Sequence, residues 1–274
     1  MFVDSHCHLI FPELRERLPE IRAAMTQAQV GAALCISTRV EEIEQVVALA
    51  ETDPQWWASA GVHPDTEGET EPDEALLLRW AAHPKVIAIG ETGLDYYRLN
   101  GRSIADMAWQ RERFRVHIRA GQATDLPLVI HTRQASEDTV ALLREAASAG
   151  QPAPRGVFHC FTETMDVARA ALDLGFLISF SGILTFRNAE DLREVARYVP
   201  LDRCLIETDS PYLAPVPFRG KTNTPALVPH VAAELARQKQ CSVEQIADAT
   251  RVNFERLFGV SVAPVNKEGR GTTA

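Results

Sequence analysis

Along the 274 residues, short apolar and β-branched runs alternate with longer stretches in which apolar residues recur every three to four positions. That alternation is the pattern of parallel βα units, with the short runs as strands and the longer stretches as helices. Eight runs fit the strand pattern: residues 2–5, 32–37, 57–62, 86–91, 128–131, 157–160, 176–180 and 203–207. Helical patterns follow them, for example over 41–51, 74–82, 104–123, 136–149, 165–174 and 189–198. Two more, 226–240 and 242–258, come after the eighth run, the second opened by Ser242 and Gln245 at the spacing of a capping box. Eight units in about 260 residues match a (β/α)8 barrel of the TIM type, here with an extra C-terminal helix. The active site of such a barrel lies where the strands run out at their C-terminal ends.

Composition narrows the class. With 46% hydrophobic residues, 15 Gly and 16 Pro, the chain reads as one large globular domain. Residues 1–260 are expected to form a single barrel domain and 261–274 a disordered tail. A chain of this size buries roughly three quarters of its unfolded surface, so a metal ion would be present for chemistry and not to hold the core. The cysteines, Cys7, Cys35, Cys160, Cys204 and Cys241, stand singly with no CxxC pair, which points to a reducing, cytoplasmic setting. No leader-like N-terminus and no run of eighteen apolar residues is present, so no membrane contact is expected, and no protein partner is implied. The balance of 28 basic and 37 acidic residues, net −9, excludes a protein that grips long stretches of nucleic acid by phosphate neutralisation. Contact with an anion has to be local.

Five of the eight histidines fall at C-terminal ends of expected strands: His6 and His8 on the first, His63 on the third, His131 on the fifth and His159 on the sixth. His83, His117 and His230 lie elsewhere and are read as surface or satisfied core groups. Strand side chains alternate with period two, so His6 and His8 project to one side while Cys7 between them faces the helix layer. Glu91 closes the fourth strand and Asp209 the eighth. Burying His6, His8, His131, His159, Glu91 and Asp209 together leaves negative charges close to one another unless cations neutralise them. Nitrogen and oxygen donors without cysteine suit Zn²⁺, Mn²⁺ or Mg²⁺. Six ligands exceed the needs of one tetrahedral ion with an open position, so two divalent ions are expected. His6, His8 and Asp209 hold one, His131 and His159 the other, and Glu91 bridges them.

A formal count bears on the substrate. Two divalent ions give +4; Glu91, Asp209 and a bridging hydroxide remove three, and the remaining positive charge suits a phosphodiester. Arg133, two residues beyond His131, and Arg219 and Lys221, in the loop after the eighth strand, are candidates to clamp phosphate oxygens, with His63 as a further substrate contact. Glu207 is expected to orient a ligand histidine. Asp95, Tyr96 and Tyr97 stand close enough to Glu91 to touch substrate, with a tyrosine stacking on a base. Cys160 and Cys204 are outward by parity and expected to be inert.

The segments DSHCHL, GVHP, IGETGLDYY, VIHTR, FHCF and ETDSPYLAPVPFRGK, spread in this order over residues 4–221, resemble the signatures of the TatD family of metal-dependent deoxyribonucleases, in the branch that keeps the N-terminal His-x-His pair. The resemblance implies a two-metal barrel that hydrolyses DNA with a metal-activated water, as a 3′–5′ exonuclease acting on a chain end. Carried over by residue, it makes His6, His8, Glu91, His131, His159 and Asp209 metal ligands and gives catalytic work to Glu91 and Asp209. Ile10, Phe218, Thr222 and Thr224 depart from the family's usual residues and affect loop contacts to substrate, not the ligands. The rival reading is an amide or cyclic-amide hydrolase of the wider metal-dependent barrel superfamily, many of which bridge their metals through a carbamylated lysine. Lys85, the lysine nearest the fourth strand, lies at its wrong end. A metal-holding scaffold without turnover ranks last.

Overall fold

In the computed structural model, which describes residues 1–149 and 152–264, the eight apolar runs form one sheet of eight strands. They are β1 (Phe2–Cys7), β2 (Val30–Cys35), β3 (Trp56–Ala60), β4 (Val86–Asp95), β5 (Leu128–Arg133), β6 (Gly156–Phe158), β7 (Leu177–Phe180) and β8 (Cys204–Ile206). Neighbours pair in parallel in sequence order. The last strand returns to the first: the Asp209 N–H donates to the His6 carbonyl at 3.0 Å and the His8 N–H to the Ser210 carbonyl at 2.9 Å. The expected barrel is therefore the fold, and the hydrogen bonds that join its ends run through three residues of the site.

The helices are α1 (Pro12–Arg15), α2 (Leu18–Gln27), α3 (Ile43–Glu51), α4 (Glu74–Ala81), α5 (Ala108–Thr124), α6 (Ser136–Ser148), α7 (Met165–Asp173), α8 (Glu190–Tyr198), α9 (Val228–Lys239) and α10 (Val243–Phe258). Local signals set several boundaries. The Asp73 and Thr164 side chains cap α4 and α7, the Ser242–Gln245 box opens α10, and Gly259 at φ 68° ends it.

Two apolar clusters divide the core. The larger lies between strands and helices and includes Cys7, Phe114, Phe158 and Phe180. The second takes side chains from every strand, among them Val3, Leu34, Val129 and Leu205, and joins them to Phe254, Leu257 and Phe258 of α10. Both clusters draw on all eight strands in alternation, Leu34 and Val129 of the second lying between Ala33, Cys35, Leu128 and Ile130 of the first, so the first is the helix-facing layer and the second the barrel interior. The Asn253 side chain of α10 donates to the Cys204 carbonyl at the start of β8, so the extra C-terminal helix caps the barrel at the end opposite the site. Trp57, whose ring centroid is 5.8 Å from that of Phe254, belongs to this plug.

Strand lengths differ from expectation where the site begins. β4 runs ten residues, to Asp95, because Thr92 to Asp95 continue the ladder against Ile130 to Arg133. β6 and β8 have only three residues each, so His159 and Asp209 stand on the loops beyond them. Of the expected tail, Val262 and Ala263 donate backbone N–H groups to Glu255 and Gln55, and residues 265–274 lie outside the described residues. Among the described residues no helix is long and apolar enough to cross a membrane.

Candidate metal centre

At the C-terminal mouth the two carboxylate oxygens of Glu91 face different sets of histidines. Oε2 lies 3.3 Å from His6 Nε2 and 3.8 Å from His8 Nε2. Asp209 Oδ1 lies 3.5 and 3.3 Å from the same two nitrogens, which are 3.1 Å apart. Donors held ~2.0–2.1 Å from one tetrahedral ion stand about 3.3 Å from each other, so these four atoms have the spacing of a ligand shell. Oε1 of Glu91 faces His159 Nε2 at 2.8 Å, His131 Nδ1 at 3.3 Å and His63 Nε2 at 3.4 Å. The six ligands expected from the sequence are thus brought together, in two sets that meet at Glu91.

Backbone geometry puts them there. β1 shifts register against β2 between Asp4 and Cys7, which turns His6 and His8 to the mouth while Cys7 joins the helix-side core. The Glu91 N–H donates to the Ser37 carbonyl at 3.1 Å, anchoring β4 across β3. Gly93, at φ 124°, lets β4 lie against the His131 carbonyl, where any Cβ would overlap the oxygen.

Carboxylates behind the histidines select their tautomers. His131 Nε2 lies 3.0 Å from Asp95 Oδ2 and His159 Nδ1 3.2 Å from Glu207 Oε1, which also accepts from the Cys160 N–H at 2.8 Å. In the neutral tautomers these nitrogens carry the proton, so His131 Nδ1 and His159 Nε2 turn lone pairs toward Glu91. Glu207 holds its expected place. Asp95, expected at the substrate, is buried and orients His131 instead. His63 instead turns its protonated nitrogen toward Glu91: its Nδ1 accepts from the Asp65 N–H at 3.0 Å, so Nε2 carries the hydrogen and is a donor.

Electrostatics fit a cation site. Burial lowers the pKa of His6 and of His63, the latter to about 3. Burial opposes protonation of His8, His131 and His159 too, but Asp209, Asp95, Glu91 and Glu207 outweigh it and raise all three. Burial also works against ionised Glu91, yet the charge of His159 and the hydrogen bond from His131 hold it well below the carboxylate range. Without metal the carboxylates draw protons onto three histidines; divalent ions answer the same demand for positive charge. His6 Nδ1, His8 Nδ1 and Glu207 Oε2 are buried without hydrogen-bond partners, and His159 Nε2 meets Glu91 at 2.8 Å without hydrogen-bond angles, as two ligands of one ion do.

The cluster floors a cleft of about 920 Å³. His63 and Arg133 line it, the guanidinium of Arg133 lying 3.5 Å from the Tyr97 ring centroid. Arg219 packs over Phe186 at 3.5 Å and Lys221 lies 5.7 Å from the Phe218 ring, and neither is among the lining residues. Two arginines the sequence reading missed, Arg39 and Arg98, line the cleft but are paired with Glu69 at 3.0 Å and Asp65 at 3.8 Å. Tyr96 is buried, its hydroxyl donating to Asp138 at 2.7 Å. Cys160, expected to face outward, lines the cleft because its φ of 42° breaks strand alternation. Burial and the charges of Asp209 and Glu207 push its thiol well above the ordinary range, which leaves it unreactive.

Comparison with known proteins places this geometry among relatives. A family model described as TatD related DNase matches residues 3–259. The chain is 44% identical over 266 residues to the uncharacterized metal-dependent hydrolase YcfH of Escherichia coli K12, covering 95% of this chain and 97% of the relative. It is 33% identical over 249 residues to the 3′-5′ ssDNA/RNA exonuclease TatD of Citrobacter rodentium, covering 89% and 92%. Among solved structures, the TatD homologue YJJV of E. coli K12 superposes with a TM-score of 0.85 at 27% identity, covering 95% of this chain and 98% of that one. A dihydroorotase from Campylobacter jejuni, at 16% identity and a TM-score of 0.57 over 95% and 84% of the two chains, shares the fold.

Proposed function

The chain belongs to the TatD-related DNase family of metal-dependent hydrolases, and from that premise we propose that its cluster holds two divalent cations and cuts the terminal phosphodiester of a DNA strand, as a 3′–5′ exonuclease. The observation that carries this reading is the division of Glu91, one oxygen toward His6 and His8 and the other toward His131 and His159. Divalent ions such as Mg²⁺, Mn²⁺ or Zn²⁺ supply charge for the phosphate and lower the pKa of a water from 15.7 to about 7.

The chain's own groups do the rest. His6, His8 and Asp209 would hold one ion and His131 and His159 the other, with Glu91 offering one oxygen to each set. Asp209, whose side chain is 16% exposed against 3% for Glu91, orients the attacking water and takes its proton. His63, neutral and with Nε2–H toward the cleft, donates to a phosphate oxygen instead of binding a metal. Arg133 is the cleft arginine with no carboxylate within salt-bridge distance among the described residues, and it meets a second phosphate oxygen. The lysine-bridged alternative has no support near Glu91: Lys85 donates to the carbonyls of Asp53 and Trp56 at the far end of the barrel.

The test uses end-labelled single- and double-stranded DNA with metal-stripped protein, then with added Mg²⁺, Mn²⁺ or Zn²⁺, beside a panel of cyclic amides. A metal-dependent ladder growing from one end is expected. Metal-dependent amide hydrolysis with intact DNA overturns the proposal.

A further inference from the structure

The rim of the cleft is chemically divided. Phe11 follows β1, Ile183 follows β7, and Tyr212 and Leu213 follow β8, so the apolar lining comes from three strands that adjoin in the closed barrel. The cations come from the other sector: Arg39 after β2, Arg98 after β4 and Arg133 at the end of β5. Phe11 stacks on His8 at 4.8 Å between centroids and 17° between planes. Tyr212 meets Phe11 edge to face at 6.2 Å and 71°. The Tyr212 N–H donates to the Asp209 carbonyl at 3.0 Å, which fixes the tyrosine one turn from that carboxylate. Yet the tyrosine is 54% exposed, whereas most large apolar residues of the chain are covered.

An exposed ring continuing a stack that starts on a ligand histidine has an open face and no protein partner for it among the described residues. A single nucleic-acid strand carries phosphates along one edge and apolar base faces along the other, and aromatic platforms bind those faces with little regard to sequence. From the juxtaposition of Phe11 and Tyr212 with the His8–Asp209 side of the cluster, opposite Arg133, we infer that these two rings form the platform on which the terminal nucleobase stacks while its phosphate lies over Glu91. The inference rests on the nuclease reading and adds to it the residues that position the substrate. It makes the platform sense the presence of a base more than its identity.

The experiment crosses two deletions. Wild type, Tyr212→Ala and Tyr212→Phe each act, with the activating metal, on a normal oligonucleotide and on one whose terminal nucleotide is abasic. In the wild type, loss of the base is expected to lower kcat/KM by roughly 5- to 150-fold, chiefly through KM. That penalty is expected to shrink toward one in Tyr212→Ala and to persist in Tyr212→Phe. With metal-stripped protein, a terminal 2-aminopurine is expected to be quenched on binding wild type but not Tyr212→Ala. An equal penalty in wild type and Tyr212→Ala, with DNA still cleaved, overturns the platform alone. A wild type inert toward both strands overturns the nuclease reading and the platform with it.

Discussion

His117 Nε2, buried in α5, accepts a 3.0 Å hydrogen bond from the backbone N–H of Val62, next to His63. The other ring nitrogen, Nδ1–H, donates to the Arg113 carbonyl at 2.8 Å, and Arg113 in turn donates to the His63 carbonyl at 2.9 Å. Making both bonds at once needs the neutral imidazole, because only an unprotonated Nε2 can accept. A residue outside the cluster therefore fixes the loop that carries His63.

This pair predicts an acid sensitivity. Burial lowers His117 to about 4 from the unfolded 6.5, so the unfolded chain binds the extra proton first and stability falls as pH drops through that window. A gap of this size corresponds to about 3 kcal/mol in all, present above pH 6.5 and lost by about pH 4. His117→Ala is expected to cost about 2 kcal/mol at pH 7.5 and to flatten the decline. Urea unfolding of both proteins at pH 7.5 and 5 measures the difference, and parallel declines would refute it.

Glu91→Ala removes the group shared by both ligand sets. Turnover is expected to fall by about three powers of ten or more and bound metal to drop below two ions per chain, while the far-ultraviolet spectrum is kept. Metal analysis and circular dichroism on one preparation check both. Global unfolding would show that the barrel depends on the cluster.

Glu207→Ala frees the Nδ1 of His159 and leaves that ring without its carboxylate. Metal affinity is expected to weaken by about 10- to 100-fold, read by competition with a chromophoric chelator. Unchanged affinity would reduce Glu207 to a bystander.

Metal loading should release protons. The raised pKa values of His8, His131 and His159 mean that the metal-free cluster holds protons that incoming ions displace, so affinity decreases as pH is lowered. Calorimetry in two buffers of different ionisation enthalpy gives the number released, and equal heats in both would contradict the assignment.

The convergence of the six proposed ligands was legible because it depends on short-range regularities: His-x-His on one strand, and single acidic or imidazole residues where apolar runs end. Glu207 followed from the same alternation. Cys160 did not, since one left-handed residue cancels parity. Asp95 was misplaced because β4 extends as far as Asp95, past the end of its apolar run. The arginines failed for a different reason. Arg219 and Lys221 follow β8 closely in sequence, but the loop lays Arg219 on Phe186, whereas Arg39 and Arg98 reach the cleft by pairing with acidic residues of another loop, a relationship no local pattern records.

The aromatic plug from α10 leaves the barrel with a single opening. A polymer cannot be threaded through the sheet as through a ring, so under the proposed function a strand would lie across the mouth and each excised unit would depart the way it entered. Among the described residues nothing would encircle such a strand, and its staying attached between successive cuts would depend on how well the rim holds it sideways.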